Sequence, residues 1–188
     1  MPTSWPVRWD LRTSETHPLI ISWIKHPAFS GEIGITLCPG KYQPISWSGG
    51  WNRNLDQDIS VLKSEGISTV VSLVEQVEMD VLRVPNLGQA IIQQGIYWIH
   101  LPFRDTTAPD NAWMTRFNKV KGVLIDSIQS CERIMVHCKG GLGRAGTVAA
   151  LLLIELGLVV DDAISLVRKT RGADCINPKQ EDFLRSLV

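Results

Sequence analysis

Hydrophobic positions along this 188-residue chain fall into short continuous runs separated by stretches with helical spacing, and that alternation predicts an α/β fold. Thr69–Val74, Ile96–Leu101 and Arg133–His137 read as strands buried on both faces. Around them, Asp56–Ser64, 111–130, Thr147–Leu156 and Val159–Thr170 read as helices, with Gly66, Gly157 and Gly172 placed to end three of them. Pro178 opens a last short helix. Strand and helix in this order predict parallel pairing with helices on both faces: a single domain with a central, mostly parallel sheet of about five strands. Such sheets bind ligands outside the carboxyl end of a central strand, which directs attention to the turn after Arg133–His137.

That turn reads His137-Cys138-Lys139-Gly140-Gly141-Leu142-Gly143-Arg144. Its glycines let the backbone curl so that successive N–H groups point inward, and the following helix adds its positive N-terminal end. A phosphate dianion fits a cradle made by Lys139, Gly140, Gly141, Leu142, Gly143 and Arg144. The guanidinium of Arg144 forms a planar fork for two phosphate oxygens, a geometry lysine lacks. Cys138, set among amide dipoles and that cation, is favoured as a thiolate nucleophile. A metal site is not expected, because Cys38, Cys131, Cys138 and Cys175 form no Cys-x2-Cys pair and have no matching histidine spacing.

The turn resembles the His-Cys-x5-Arg signature of the cysteine-dependent protein tyrosine phosphatase superfamily. Gly34–Gly40, Asp58–Ile67 and Arg83–Leu87 extend the likeness to the dual-specificity class, in particular to its kinase-associated phosphatase branch. The resemblance covers residues from about Gly31 to the C-terminus, so the expected organisation is an irregular N-terminal extension over 1–30 and a phosphatase domain over 31–188. It implies hydrolysis of phosphate monoesters through a cysteinyl-phosphate intermediate, with Cys138 as nucleophile, Arg144 as phosphate ligand and no cofactor.

The same resemblance places the acid that protonates the leaving group at Asp105, in the loop after the Ile96–Leu101 strand. Asp110 is the reserve candidate, although its place before Asn111-Ala112-Trp113 reads as a helix cap. His137 is implied to order the signature loop, and Gln180 to position hydrolytic water. One departure stands out. The family usually carries a hydroxyl residue directly after the signature arginine to stabilise the departing thiolate, and this chain has Ala145. Thr147, two positions on, turns to another side of the helix.

Composition adds limits. Nineteen acidic and nineteen basic residues cancel, and no basic run interleaved with aromatics suggests nucleic acid. A hydrophobic content of 44% suits one compact domain, and no apolar run reaches membrane-spanning length. Four scattered cysteines are no disulfide scaffold, and a thiolate nucleophile needs a reducing compartment, so the expected setting is cytoplasmic. The expected substrate is a phosphorylated protein carrying phosphotyrosine, phosphoserine or phosphothreonine. Two alternatives remain. Lys139 also fits a phosphoinositide phosphatase, and Ala145 a phosphate-binding pseudophosphatase. Cys38, Cys131 and Cys175 are all open as redox partners of Cys138.

Overall fold

A computed structural model describes residues 11–46 and 49–187. In chain order the elements are β1 (Ser22–Ile24), β2 (Glu32–Thr36), β3 (Tyr42–Gln43), β4 (Trp51–Asn52), α1 (Leu55–Ser64), β5 (Ile67–Ser72), α2 (Gln76–Val81) and α3 (Leu87–Gln93). There follow β6 (Tyr97–His100), α4 (Asn111–Gln129), β7 (Arg133–His137), α5 (Gly143–Glu155), α6 (Val160–Arg171) and α7 (Pro178–Arg185).

Five strands form one sheet in the order β1-β2-β7-β5-β6. The pairs β2–β7, β7–β5 and β5–β6 are parallel, and β1 adds an antiparallel edge. Side chains alternate across the sheet. Ile134 and Val136 of β7 join the core under α4–α7, whereas Met135 joins the core under α1–α3. With both faces covered, the apolar residues of the inner strands β2, β7 and β5 are buried. Strand β7 is central, and its carboxyl end delivers His137 and Cys138 to the mouth of the sheet.

Three boundaries differ from the sequence reading by more than one residue. The stretch expected to be irregular over 1–30 contributes Ser22–Ile24 to the sheet, paired with Ile33–Ile35, so that part belongs to the folded unit. Trp5, Pro6 and Trp9 of that stretch lie outside the described residues. Helix α5 begins at Gly143 rather than Thr147, because the Gly146 amide already donates to the Leu142 carbonyl at 2.8 Å. Strand β5 begins at Ile67 because the ladder with Arg133 starts there, and it ends at Ser72 before Leu73 turns into the site.

Candidate active site

The signature loop is bent where the chain crosses the end of β2. Gly141 has φ +69°, and a Cβ there would run into the Thr36 backbone, so only glycine fits this position. The loop's carbonyls are drawn outward by two cations. Lys41 Nζ donates to the Lys139 carbonyl at 3.1 Å, and Arg171 donates to the carbonyls of Gly141 at 2.8 Å and Gly140 at 3.4 Å. Because amide N–H and C=O point in opposite directions across a peptide plane, this turns the N–H groups inward. The Gly141 N–H lies 3.2 Å from Cys138 Sγ, with the sulfur at the floor of the cradle.

Lys41 is itself buried, and burial lowers its pKa to about 8. It also hydrogen-bonds Gln43 Oε1 at 3.1 Å and lies over the ring of Trp51. The cation therefore serves backbone and ring, with no carboxylate partner among the described residues.

Arg144 is fully buried and held from one side. Its Nη1 donates to the carbonyls of Leu73 (3.2 Å) and Phe103 (3.0 Å) and to Glu78 Oε2 (2.6 Å), while Nη2 donates to Glu78 Oε1 (2.8 Å). Burial works against its charge, but the Glu78 pair and the neighbouring Cys138 more than restore it. The Nε edge is different. It lies 3.3 Å from Asp105 Oδ1 without the alignment of a hydrogen bond, and it is a buried donor with no acceptor. This edge is a donor left open to an acceptor from outside the chain.

Asp105 sits beside this edge, with its Oδ2 at 2.9 Å from Lys139 Nζ and its Oδ1 accepting from the Thr106 amide at 3.0 Å. Partial burial would raise its pKa, but the Lys139 hydrogen bond and the Arg144 charge outweigh that and hold it below the ordinary carboxylate range. The reserve candidate Asp110 is elsewhere: it caps α4, accepting from the Trp113 amide at 2.7 Å.

His137 is buried at the end of a donor chain. Trp98 Nε1 donates to Ser72 Oγ at 2.8 Å, Ser72 Oγ is 2.6 Å from His137 Nε2, and His137 Nδ1 is 3.4 Å from the Cys138 carbonyl. Because indole N–H only donates, the serine proton is left for Nε2, which puts the imidazole proton on Nδ1 facing that carbonyl. Burial first, and the nearby Arg144 charge, lower the pKa of His137 to about 4, so the ring is neutral.

Gln180 is fully buried beside Gly143, where a Cβ would lie 3.0 Å from its Oε1. Its amide nitrogen is committed to the Thr107 carbonyl at 2.9 Å rather than free above Cys138. Of the other cysteines, Cys131 is exposed at the opposite end of β7 from Cys138. Cys38 and Cys175 are buried, and burial pushes their thiols up to about 12 and about 11.

The sequence-predicted residues Cys138, Lys139, Arg144 and Asp105 thus converge, and three partners were missed: Glu78, Lys41 and Arg171. A signal existed for Glu78. Glu75-Gln76-Val77-Glu78 is a capping-box spacing at the start of a helix, and the Glu75 amide does donate to Glu78 Oε2 at 2.9 Å. Nothing local marked Lys41 or Arg171, whose loop contacts span 98 and 30 residues.

A model of the family described as Cyclin-dependent kinase inhibitor 3 matches residues 10–167. The chain belongs to that family. It is 34% identical over 176 residues to cyclin-dependent kinase inhibitor 3 of Sus scrofa, covering 90% of this chain and 79% of the relative. Protein tyrosine phosphatase type IVA 3 of Bos taurus is 37% identical over 138 residues, 71% of each chain. Among solved structures, a kinase-associated phosphatase with its catalytic-site cysteine replaced by serine superposes with a TM-score of 0.79 at 29% identity, covering 90% of this chain and 94% of that one. The fold and relatives are those of cysteine-dependent protein phosphatases of the dual-specificity type. Among the described residues, no helix is long and apolar enough to cross a membrane.

Proposed function

We propose that this chain hydrolyses phosphate monoesters on proteins by two displacements through Cys138, in the reducing setting of the cytoplasm. The observation that carries this reading is the buried Nε of Arg144, a donor without a hydrogen-bond acceptor beside a cradle whose floor is the Cys138 sulfur. In the first step the thiolate attacks phosphorus, the loop amides and Arg144 hold the equatorial oxygens, and Asp105 gives its proton to the departing oxygen. In the second, Asp105 takes a proton from water as the water attacks the cysteinyl phosphate, and the thiolate leaves.

The curated relatives are named as kinase inhibitors and tyrosine phosphatases, which supports a phosphoprotein substrate. The engagement of Lys139 with Asp105 supports protein over lipid, since that cation is occupied inside the site rather than offered to a headgroup.

The test is release of nitrophenol from nitrophenyl phosphate by the purified chain and by Cys138→Ser. The wild type should turn over, and the serine variant should be inactive while binding inorganic phosphate within about tenfold of wild type, because the cradle is mostly backbone. Binding without turnover by the wild type would make the chain a phosphate-binding module instead.

A further inference from the structure

The loop that carries Asp105 is fastened to the far end of the chain by the two side chains that also start α7. Thr106, a non-glycine residue with φ +64°, has its carbonyl hydrogen-bonded by Asn177 Nδ2 at 3.1 Å. The next carbonyl, that of Thr107, accepts from Gln180 Nε2 at 2.9 Å. The oxygens of the same two amides do a different task. Asn177 Oδ1 accepts from the Gln180 N–H, and Gln180 Oε1 accepts from the Asn177 N–H, each at 3.0 Å, which completes the capping box of α7.

Capping alone does not call for this pair. Serine at the first position and glutamate at the fourth satisfy a capping box fully. What only the two amides supply is a pair of N–H donors pointing away from the helix, and both reach the acid loop. The base of this arrangement is anchored, since Arg168 holds the carbonyls of Cys175 (3.1 Å) and Ile176 (2.9 Å) and the carboxylate of Glu181 (2.7 Å). Gln180 also packs against Gly143, so one buried side chain touches both the acid loop and the exit of the signature loop.

We infer that Asn177 and Gln180 are positioning residues that clasp the acid loop shut over Cys138, fixing Asp105 on the leaving-group side of the phosphate. This rests on Asp105 being the acid. With the clasp open, the loop samples positions in which Asp105 does not reach the departing oxygen. Esters whose leaving group needs a proton then suffer, and activated esters suffer less.

Asn177→Ser is the neutral test, because serine keeps the cap oxygen and removes the donor to Thr106; Gln180→Glu does the same for Thr107. Both keep the capping box, but Gln180→Glu also buries a carboxylate against the Thr107 carbonyl, so the melting temperature should stay within a few degrees of wild type in Asn177→Ser and fall further in Gln180→Glu. The expected result is a fall of roughly fivefold to tenfold in kcat/KM for phenyl phosphate, the worth of about one hydrogen bond, and of about twofold at most for dinitrophenyl phosphate. Equal losses on both esters, or no loss on either, would overturn the clasp. Asp105→Asn run beside them separates the two ideas. If it shows no leaving-group dependence the acid assignment fails, and hydrogen exchange over residues 104–108 then judges the clasp alone: faster exchange in Asn177→Ser upholds it as a loop fastener, and unchanged exchange removes it.

Discussion

Glu78 closes a two-pronged ion pair on Arg144, with Oε2 2.6 Å from Nη1 and Oε1 2.8 Å from Nη2, and the cap of α2 holds the same carboxylate through the Glu75 amide. The guanidinium is therefore oriented before any phosphate arrives, with the side facing Glu78 occupied and the Nε edge unsatisfied. Replacing Glu78 by glutamine keeps one acceptor but sets an NH2 group against a guanidinium nitrogen. The expected consequence is a fall in kcat/KM of about 10²-fold, the cost of a small misplacement of a phosphate ligand. Steady-state kinetics of Glu78→Gln beside Glu75→Gln, which leaves that pair intact, would check it. A Glu78→Gln enzyme as good as wild type would show that the two carbonyl contacts of Arg144, to Leu73 and Phe103, suffice without the carboxylate.

On the proposed mechanism, Lys139 and Arg144 set the pH at which Asp105 acts as the acid. Together they hold its pKa below the usual range in the free enzyme, so the protonated fraction falls off early as pH rises. Removing Lys139 as methionine weakens the hold on the carboxylate, raises its pKa and extends the protonated form to higher pH. The basic limb of kcat/KM for phenyl phosphate should then move to higher pH in Lys139→Met than in wild type. Because the substrate is the same, its own ionisation cancels in the comparison. A limb that stays put or moves down would detach Lys139 from the acid.

His137 makes the fold acid-sensitive. Its pKa is about 4 when folded against an ordinary 6.5, so between those values the unfolded chain binds the extra proton and the folded one does not. Stability therefore rises with pH through this window and is lost as pH falls from 6.5 toward 4. The loss between pH 7 and roughly pH 5 should amount to about 2 kcal/mol. Urea midpoints measured across that range should drop steeply in wild type and less in His137→Gln. Parallel curves for the two proteins would mean the histidine is not the group that titrates.

Where the sequence was read well, the physics was local. Continuous apolar residues over Arg133–His137, the glycines after it and the Asn-Pro opening of α7 each determine their own few residues, and the structure has them at those places. Helices α2 and α3, six and seven residues long, are too short to show a helical period, and strand β1 has only three residues. The supports of the signature loop are a different matter. Lys41, Glu78 and Arg171 reach it through long-range folding, with Glu78 66 residues away in sequence from Arg144, and a lysine or arginine in isolation reads as solvated surface. For Gln180 the sequence shows an amide near the site but not that its oxygen completes the helix cap while its nitrogen holds the Thr107 carbonyl.

Ala145 is the departure from family pattern with the clearest kinetic meaning. It is fully buried directly after Arg144, the position where the family resemblance implies a hydroxyl that donates to the thiolate as it leaves. Thr147 does not substitute for it, because its Oγ1 donates to the Gly143 carbonyl at 2.8 Å. The sulfur keeps the Gly141 amide at 3.2 Å, but that donor is a fixed part of the cradle. Hydrolysis of the cysteinyl phosphate should therefore limit turnover, while kcat/KM, which reports only the steps through its formation, is little affected. Rapid mixing with nitrophenyl phosphate should show a burst of about one nitrophenol per site before a slow steady rate. In Ala145→Ser the steady rate should rise by roughly tenfold, the worth of one good hydrogen bond, and the burst should shrink toward the steady-state line. A wild type without a burst, joined with an unchanged kcat in the serine variant, would show that the loop amide alone carries the leaving sulfur.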